Sequence, residues 1–216
     1  MPGIDALRND AMRISAIILA AGESRRMGTL KQVLPWCDKT VVEASVDAAC
    51  GAKAVSQVVV VLGHEADRVR AVLEKKARPK MRLALNPEYK LGMFSSVKTG
   101  ISFLHPAVEA FFIAPADQPE IEPRAYDSLA GAFESLRESI DIVIPVYKGR
   151  GGHPTLFSAT LCQEIMDMPY HGNGLRDVIR KHEGRVAQVN METASIIRDL
   201  DTLEDYNQAT ARRGKT

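Results

Sequence analysis

The chain has 216 residues, 45% of them hydrophobic and 25% charged, and its ordinary glycine and proline usage excludes collagen-like repeats and low-complexity disorder. A chain of this length buries roughly 70–75% of its unfolded surface, enough core to need no disulfide or metal staple. Lys plus Arg is 28 against 27 Asp plus Glu, and the net charge of +1 gives no global field for nucleic acid, so an anionic ligand must be held by a local cluster.

Residues 1–12 are polar, carry both charge signs and lack the apolar stretch of a secretory signal. They read as a flexible tail, as do residues 212–216. No apolar run approaches the ~20 residues that span a bilayer, and three cysteines without a CxxC pair suit a reducing compartment. The expectation is a cytoplasmic protein with no membrane and no nucleic-acid partner. Between the tails, strands are predicted at Ile14–Ala20, Gln57–Leu62, Arg82–Leu85, Ala110–Ala114, Asp141–Val146 and Arg185–Val189. Several are apolar at consecutive positions, as in a sheet covered on both faces. Helices are predicted at Thr40–Cys50, Glu65–Lys76, Ser95–Leu104, Pro123–Arg137, Ala159–Met166, Leu175–Lys181 and Thr202–Arg212. Strand–helix alternation predicts an α/β fold with a mostly parallel sheet and right-handed crossovers. No linker or repeat divides residues 13–211, which read as one domain.

The segment Leu19–Lys31, LAAGESRRMGTLK, starts where the first strand ends. In α/β sheets, ligands bind outside the carboxyl ends of the strands. Ala20, Ala21 and Gly22 allow close backbone approach, so that N–H groups can face phosphate oxygens, and Arg25, Arg26 and Lys31 add fixed positive charge. The spacing from Gly22 to Gly28, followed by Thr29, is not a Walker A loop, and GxGxxG is absent. On residues alone, a glycine-containing turn with solvated basic side chains competes with a triphosphate cradle.

LAAGESRRMGTLKQVLP resembles the signature LAAGxSxRMGxxKxLLP of nucleotidyltransferases with a MobA-like domain, and within them it is most similar to the molybdenum cofactor cytidylyltransferases. The resemblance implies a three-layer, Rossmann-like, glycosyltransferase-A-like fold with a mostly parallel mixed sheet. It also implies Mg²⁺-dependent transfer of CMP from CTP to molybdopterin, with release of pyrophosphate. Leu19, Ala20, Ala21, Gly22, Arg25 and Gly28 then line the nucleotide, and Arg26, Lys31 and Asp117 form the catalytic set. Alternatives are a related enzyme with a GTP donor or a sugar-phosphate acceptor, and a non-catalytic molybdenum cofactor chaperone serving a partner dehydrogenase. A molybdoenzyme or maturation factor is a possible protein partner.

Further matches follow along the chain. Asp117 in APADQP ends the strand AFFIA, where a carboxylate can carry Mg²⁺ bridged to substrate phosphates. The family has its metal-binding aspartate at this position, although a lone Asp there also suits a turn or helix cap. In DLDTLED, the resemblance makes Asp201 a second metal ligand ahead of Asp199, while capping of the last helix by Asp201 or Thr202 is the competing reading. NPEYKLGMFSSVKTG matches the family loop beside base and ribose, which implicates Gly92, Ser95 and Ser96. Ser95 reads equally as an N-cap. Arg150, Gly152, His153 and Pro154, close to the family's R-G-H-P element, and Asn173 and Arg176 of HGNGLR are the expected acceptor contacts, the latter pair on a mobile lid. Glu23 reads as a cap or a base contact. His64 reads as surface, His105 and His182 lack partners at ligand spacing, and Cys37, Cys50 and Cys162 read as small core side chains.

Overall fold

The structure, a computed structural model, describes residues 12–213. The first half of the chain runs β1 (Ile14–Ala20), β2 (Pro35–Trp36), β3 (Lys39–Thr40), α1 (Val41–Gly51), β4 (Val55–Leu62), α2 (Ala66–Leu73) and β5 (Met81–Leu85). It continues with α3 (Met93–Ser102), β6 (Ala110–Pro115), α4 (Pro123–Leu136), β7 (Ile142–Tyr147), β8 (Arg150–Gly151) and β9 (Thr155–Ser158). It closes with α5 (Cys162–Asp167), α6 (Leu175–Lys181), β10 (Val186–Asn190) and α7 (Leu203–Arg213).

The main sheet has the order β10-β7-β9-β6-β1-β4-β5, with β8 paired to the end of β7. Strands β6, β1, β4 and β5 run parallel, as do β7 and β10. β9 is antiparallel to both its neighbours, so the sheet is mixed and mostly parallel. All six predicted strands are present. Sequence pattern does not mark Thr155–Ser158 as a strand, because it holds only two consecutive apolar residues, Leu156 and Phe157. The β2–β3 hairpin and β8, each two residues long, escape it as well.

Strand residues alternate between two buried faces. Ala16, Ile18, Val58, Val60, Phe112 and Ala114 pack under α1, α2 and α4, while Ile17, Val59, Val61, Phe111 and Ile113 pack under α3, α5 and α6. That double coverage is why these strands read as continuous apolar runs. Phe112 meets Tyr126 of α4 edge-on at 5.0 Å and 80°, a pairing worth about 0.5–1.5 kcal/mol beyond its area. A smaller cluster of Met27, Trp36, Val41, Leu200 and Ala209 fastens α7 beside the first loop.

Both tail boundaries differ from expectation. Of the predicted N-terminal tail only Met12 lies within the described residues, and it packs against the core. At the other end α7 continues through Arg213, whose guanidinium lies 5.2 Å over the Trp36 ring. Residues 212 and 213 are therefore helix and not tail, and 214–216 lie outside the described residues.

Candidate active site

The loop after β1 is built around two side chains with no motif value of their own. Gln32 is 2% exposed. Its amide donates to Gly22 O at 2.9 Å and Ala20 O at 3.4 Å, while its Oε1 accepts from Ser24 Oγ at 3.1 Å. Ser24 occupies the left-handed region at φ 54°. Its carbonyl accepts from the Met27 and Gly28 N–H groups, and its hydroxyl accepts from Lys31 N at 3.1 Å. These bonds fold residues 20–32 into a bowl. The N–H groups of Gly22, Glu23 and Ser24 have no partner among the described residues, so the backbone is left to bind an anion.

Gly63, at the end of β4, completes the wall. A Cβ there would meet the Ala21 and Tyr89 side chains at 2.7 Å, and His64 N donates to Ala21 O at 3.1 Å.

Opposite the bowl stand Asp117 and Asp201. Three bonds hold the Asp117 turn in place: Ala116 N to Leu19 O (3.1 Å), Ser45 Oγ to Ala116 O (3.0 Å) and Leu200 N to Asp117 O (3.0 Å). Lys31 ion-pairs directly with Asp117 and lies 3.3 Å from Asp201, whose other oxygen meets Arg26 Nη2 at 2.8 Å. Four residues distant in sequence thus form one charge cluster at the carboxyl ends of β1 and β6. Burial raises the Asp117 carboxyl above its ordinary range, against the pull of the Lys31 ammonium, and Asp199 and Asp201 push the same way as burial. Asp117 Oδ1 is buried without a partner.

The choice between the two C-terminal aspartates follows from α7. Thr202 and Asp205 form the helix cap: Asp205 Oδ2 accepts from Thr202 N at 2.8 Å and Oγ1 at 2.7 Å, and Asp205 N donates back to Thr202 Oγ1 at 3.1 Å. Capping therefore makes no demand on Asp201, which is free for Arg26 and Lys31. Asp199 instead accepts from Gln118 Nε2.

Several expected contacts are arranged differently. Ser95 and Ser96 are 2% and 3% exposed, and both hydroxyls accept from Asn86 Nδ2, at 2.8 and 3.0 Å. They brace the loop from within. The cap of α3 is Gly92, at φ 102°, so Ser95 sits inside the first turn and is not the N-cap. Arg25 ion-pairs with Glu23 of the same loop. Asn173 is engaged by Asp177, through its N–H and its amide, both at 3.0 Å. Arg150 and Arg176 are exposed. The carboxylates that act on the His153 ring are Asp199 and Asp117. Burial lowers its pKa despite their pull, so the imidazole is neutral at neutral pH.

Outside the site, His182 does have acidic partners, Glu164 Oε2 at 2.9 Å and Asp141 Oδ2 at 3.8 Å, which tie α6 to α5 and β7. His64 lies 3.4 Å from Glu65, and His105 accepts from Ala107 N. All three cysteines are free thiols, Cys37 exposed and the others half-buried. A cavity of about 930 Å³ opens near the starts of β1 and β4 and contains none of these site residues, at the end of the sheet where α/β proteins do not bind their substrates.

A strand-end bowl facing paired carboxylates narrows the comparison with known proteins. The MobA-like NTP transferase domain model matches residues 16–186. The chain belongs to this family. Among MobA-like relatives, the molybdenum cofactor cytidylyltransferase of Escherichia coli K12 is 29% identical over 201 residues, covering 92% of this chain and 96% of that protein. A probable molybdenum cofactor guanylyltransferase of Bacillus cytotoxicus is 28% identical, covering 63% and 64%. The crystal structure of Rv0371c from Mycobacterium tuberculosis H37Rv superposes with a TM-score of 0.76 at 27% identity, over 93% of this chain and 99% of that one. This MobA-like chain is thus a nucleotidyltransferase on the nucleotide-diphospho-sugar transferase fold. No helix among the described residues is long and apolar enough to cross a membrane.

Proposed function

We propose that the protein transfers CMP from CTP to molybdopterin with release of pyrophosphate, and that the reaction depends on Mg²⁺. The observation that carries this reading is the cluster of Lys31 and Arg26 with Asp117 and Asp201 beneath a backbone bowl open to an anion. Near full-length similarity to a cytidylyltransferase, against partial similarity to a guanylyltransferase, supports CTP over GTP as donor.

The residues fit a divalent cation. Asp117 Oδ1 is a buried acceptor without a partner, and carboxylate oxygens are the donors Mg²⁺ selects. Among the described residues no three His, Cys, Asp or Glu side chains converge as a ready cage, so substrate phosphates would complete the coordination, as is usual for Mg²⁺. When bound, the cation would neutralise charge developing at the α-phosphate, with Asp117 and Asp201 holding it.

A terminal phosphate oxygen of the acceptor attacks the α-phosphorus in line. The new P–O bond forms as the bond to pyrophosphate breaks. The acceptor phosphate is ionised at neutral pH and needs no general base. The bowl orients the triphosphate, and Lys31 and Arg26 stabilise the negative charge of the departing pyrophosphate. Positioning and charge neutralisation account for most catalysis of this kind. The product, a dinucleotide form of the cofactor, would pass to a molybdoenzyme or maturation factor.

Thermal shift with CTP, GTP, UTP and ATP in the presence of Mg²⁺ tests the donor: a ligand at 100 to 1,000 times its dissociation constant adds about 3–4 kcal/mol of apparent stability. A CTP-selective shift, followed by pyrophosphate release only when molybdopterin is added, is expected. Lys31→Ala that kept wild-type turnover would refute the loop's role. Binding of the cofactor without turnover would favour a chaperone.

A further inference from the structure

We infer that His153 is a direct ligand of the divalent cation, through Nδ1, on the Asp117 side of the site. The backbone brings the two residues together. β9 pairs antiparallel with β6, with Ile113 opposite Thr155, so His153, just before β9, lies beside the end of β6 that leads into Asp117. The 196–200 segment ties both: His153 N donates to Ile196 O at 2.8 Å, and Leu200 N donates to Asp117 O at 3.0 Å.

The ring is prepared as metal-binding imidazoles are. The Ile113 backbone carbonyl lies against the ring, while Nδ1 is buried with no partner. A histidine ligand characteristically donates its second ring N–H to a carbonyl or carboxylate, which fixes the tautomer and leaves the other nitrogen as a lone pair. Asp117 Oδ1 is buried and unpartnered in the same way. Leaving two such acceptors unsatisfied is costly, and a shared cation answers both. Nucleotide phosphate oxygens would fill the remaining positions. Imidazole nitrogen suits later first-row ions better than Mg²⁺, and Mn²⁺ serves as the paramagnetic probe of the site.

This assignment rests on the nucleotidyl-transfer reading, and its test separates the two. The full chain is loaded with Mn²⁺ and the non-hydrolysable analogue α,β-methylene-CTP and studied by pulsed EPR, with a parallel sample carrying ¹⁵N-labelled histidine. The expected wild-type spectrum shows modulation from a coordinated nitrogen, which changes to the ¹⁵N pattern on labelling. In His153→Asn the modulation disappears, and the Mn²⁺ dissociation constant rises at least about tenfold. Bound Mn²⁺ without histidine nitrogen, as a water between Nδ1 and Asp117 would produce, overturns the assignment and leaves nucleotidyl transfer intact. Coupling that persists in His153→Asn belongs to another of the five histidines and overturns it equally. Failure of Mn²⁺ and the analogue to bind at all brings down the proposed metal-dependent cytidylyl transfer, and the assignment with it. The wild-type and labelled spectra decide even if His153→Asn does not fold.

Discussion

Replacing Lys31 by methionine removes the ammonium between Asp117 and Asp201 and keeps most of the side chain's length. Lys31 and Asp117 are only 14% and 16% exposed, so water screens the pair much less than a surface bridge. Removing one partner of a buried pair costs about 3–5 kcal/mol. Arg26 still holds Asp201, which places the loss near the low end, at about 3 kcal/mol. Burial already sets the Asp117 carboxyl above its ordinary value in spite of Lys31, and the variant raises it further, each unit being worth about 1.4 kcal/mol. A folded-state value above the unfolded one means that the native state binds more protons, so stability falls as pH rises from about 4 through the raised value. The deficit should therefore be full above the raised value and shrink as pH falls toward the unfolded value of about 4. Urea unfolding followed by fluorescence of Trp36, the sole tryptophan and 1% exposed, measures this at each pH. Asp117→Asn in the Lys31→Met background should recover most of the loss. Equal stability of Lys31→Met and wild type at every pH would refute the coupling.

Gln32→Leu strips the loop of its bonds to Gly22 O and Ser24, and should cost about 1–3 kcal/mol and diminish the CTP-induced thermal shift. An unchanged shift would mean that the loop holds its shape without the amide. Gly152→Ala places a Cβ 2.1 Å from the Ile196 carbonyl oxygen. Backbone cannot swing aside as a side-chain tip does, so a loss of about 1–3 kcal/mol is expected by calorimetry, together with weaker Mn²⁺ binding. Arg78, 8% exposed, donates to Asp47 Oδ1 at 2.7 Å and Leu73 O at 2.7 Å, and Arg78→Ala should destabilise by about 3–5 kcal/mol. Burial by itself would raise the Asp47 carboxyl, but bonds from Arg78 and Lys39 bring it below its ordinary value. That stabilisation is present above about pH 4 and lost as pH falls through the folded value, so wild type and Arg78→Ala should converge in acid unfolding curves.

Local pattern was enough for much of this protein. The first strand, the bowl after it and Asp117 at a strand's end are each written in a few consecutive residues, because apolar runs, small residues and clustered cations act over one turn or one strand. The same holds for helices such as Leu175–Lys181, where period and capping are local. Tertiary structure decided what depends on partners far along the chain. β9 is a strand because β6 and β7 offer it open edges, while its own sequence holds only two consecutive apolar residues. Gln32 matters because three loop groups surround its amide, and nothing beside it in sequence announces that. Asp201 joins Lys31 because Thr202 and Asp205 satisfy the α7 terminus, while Asp199 is taken by Gln118. His153 lies by the carboxylates because an antiparallel strand, unseen in the sequence, carries it there. Long-range pairing sets which polar atoms meet, and chemistry follows from that meeting.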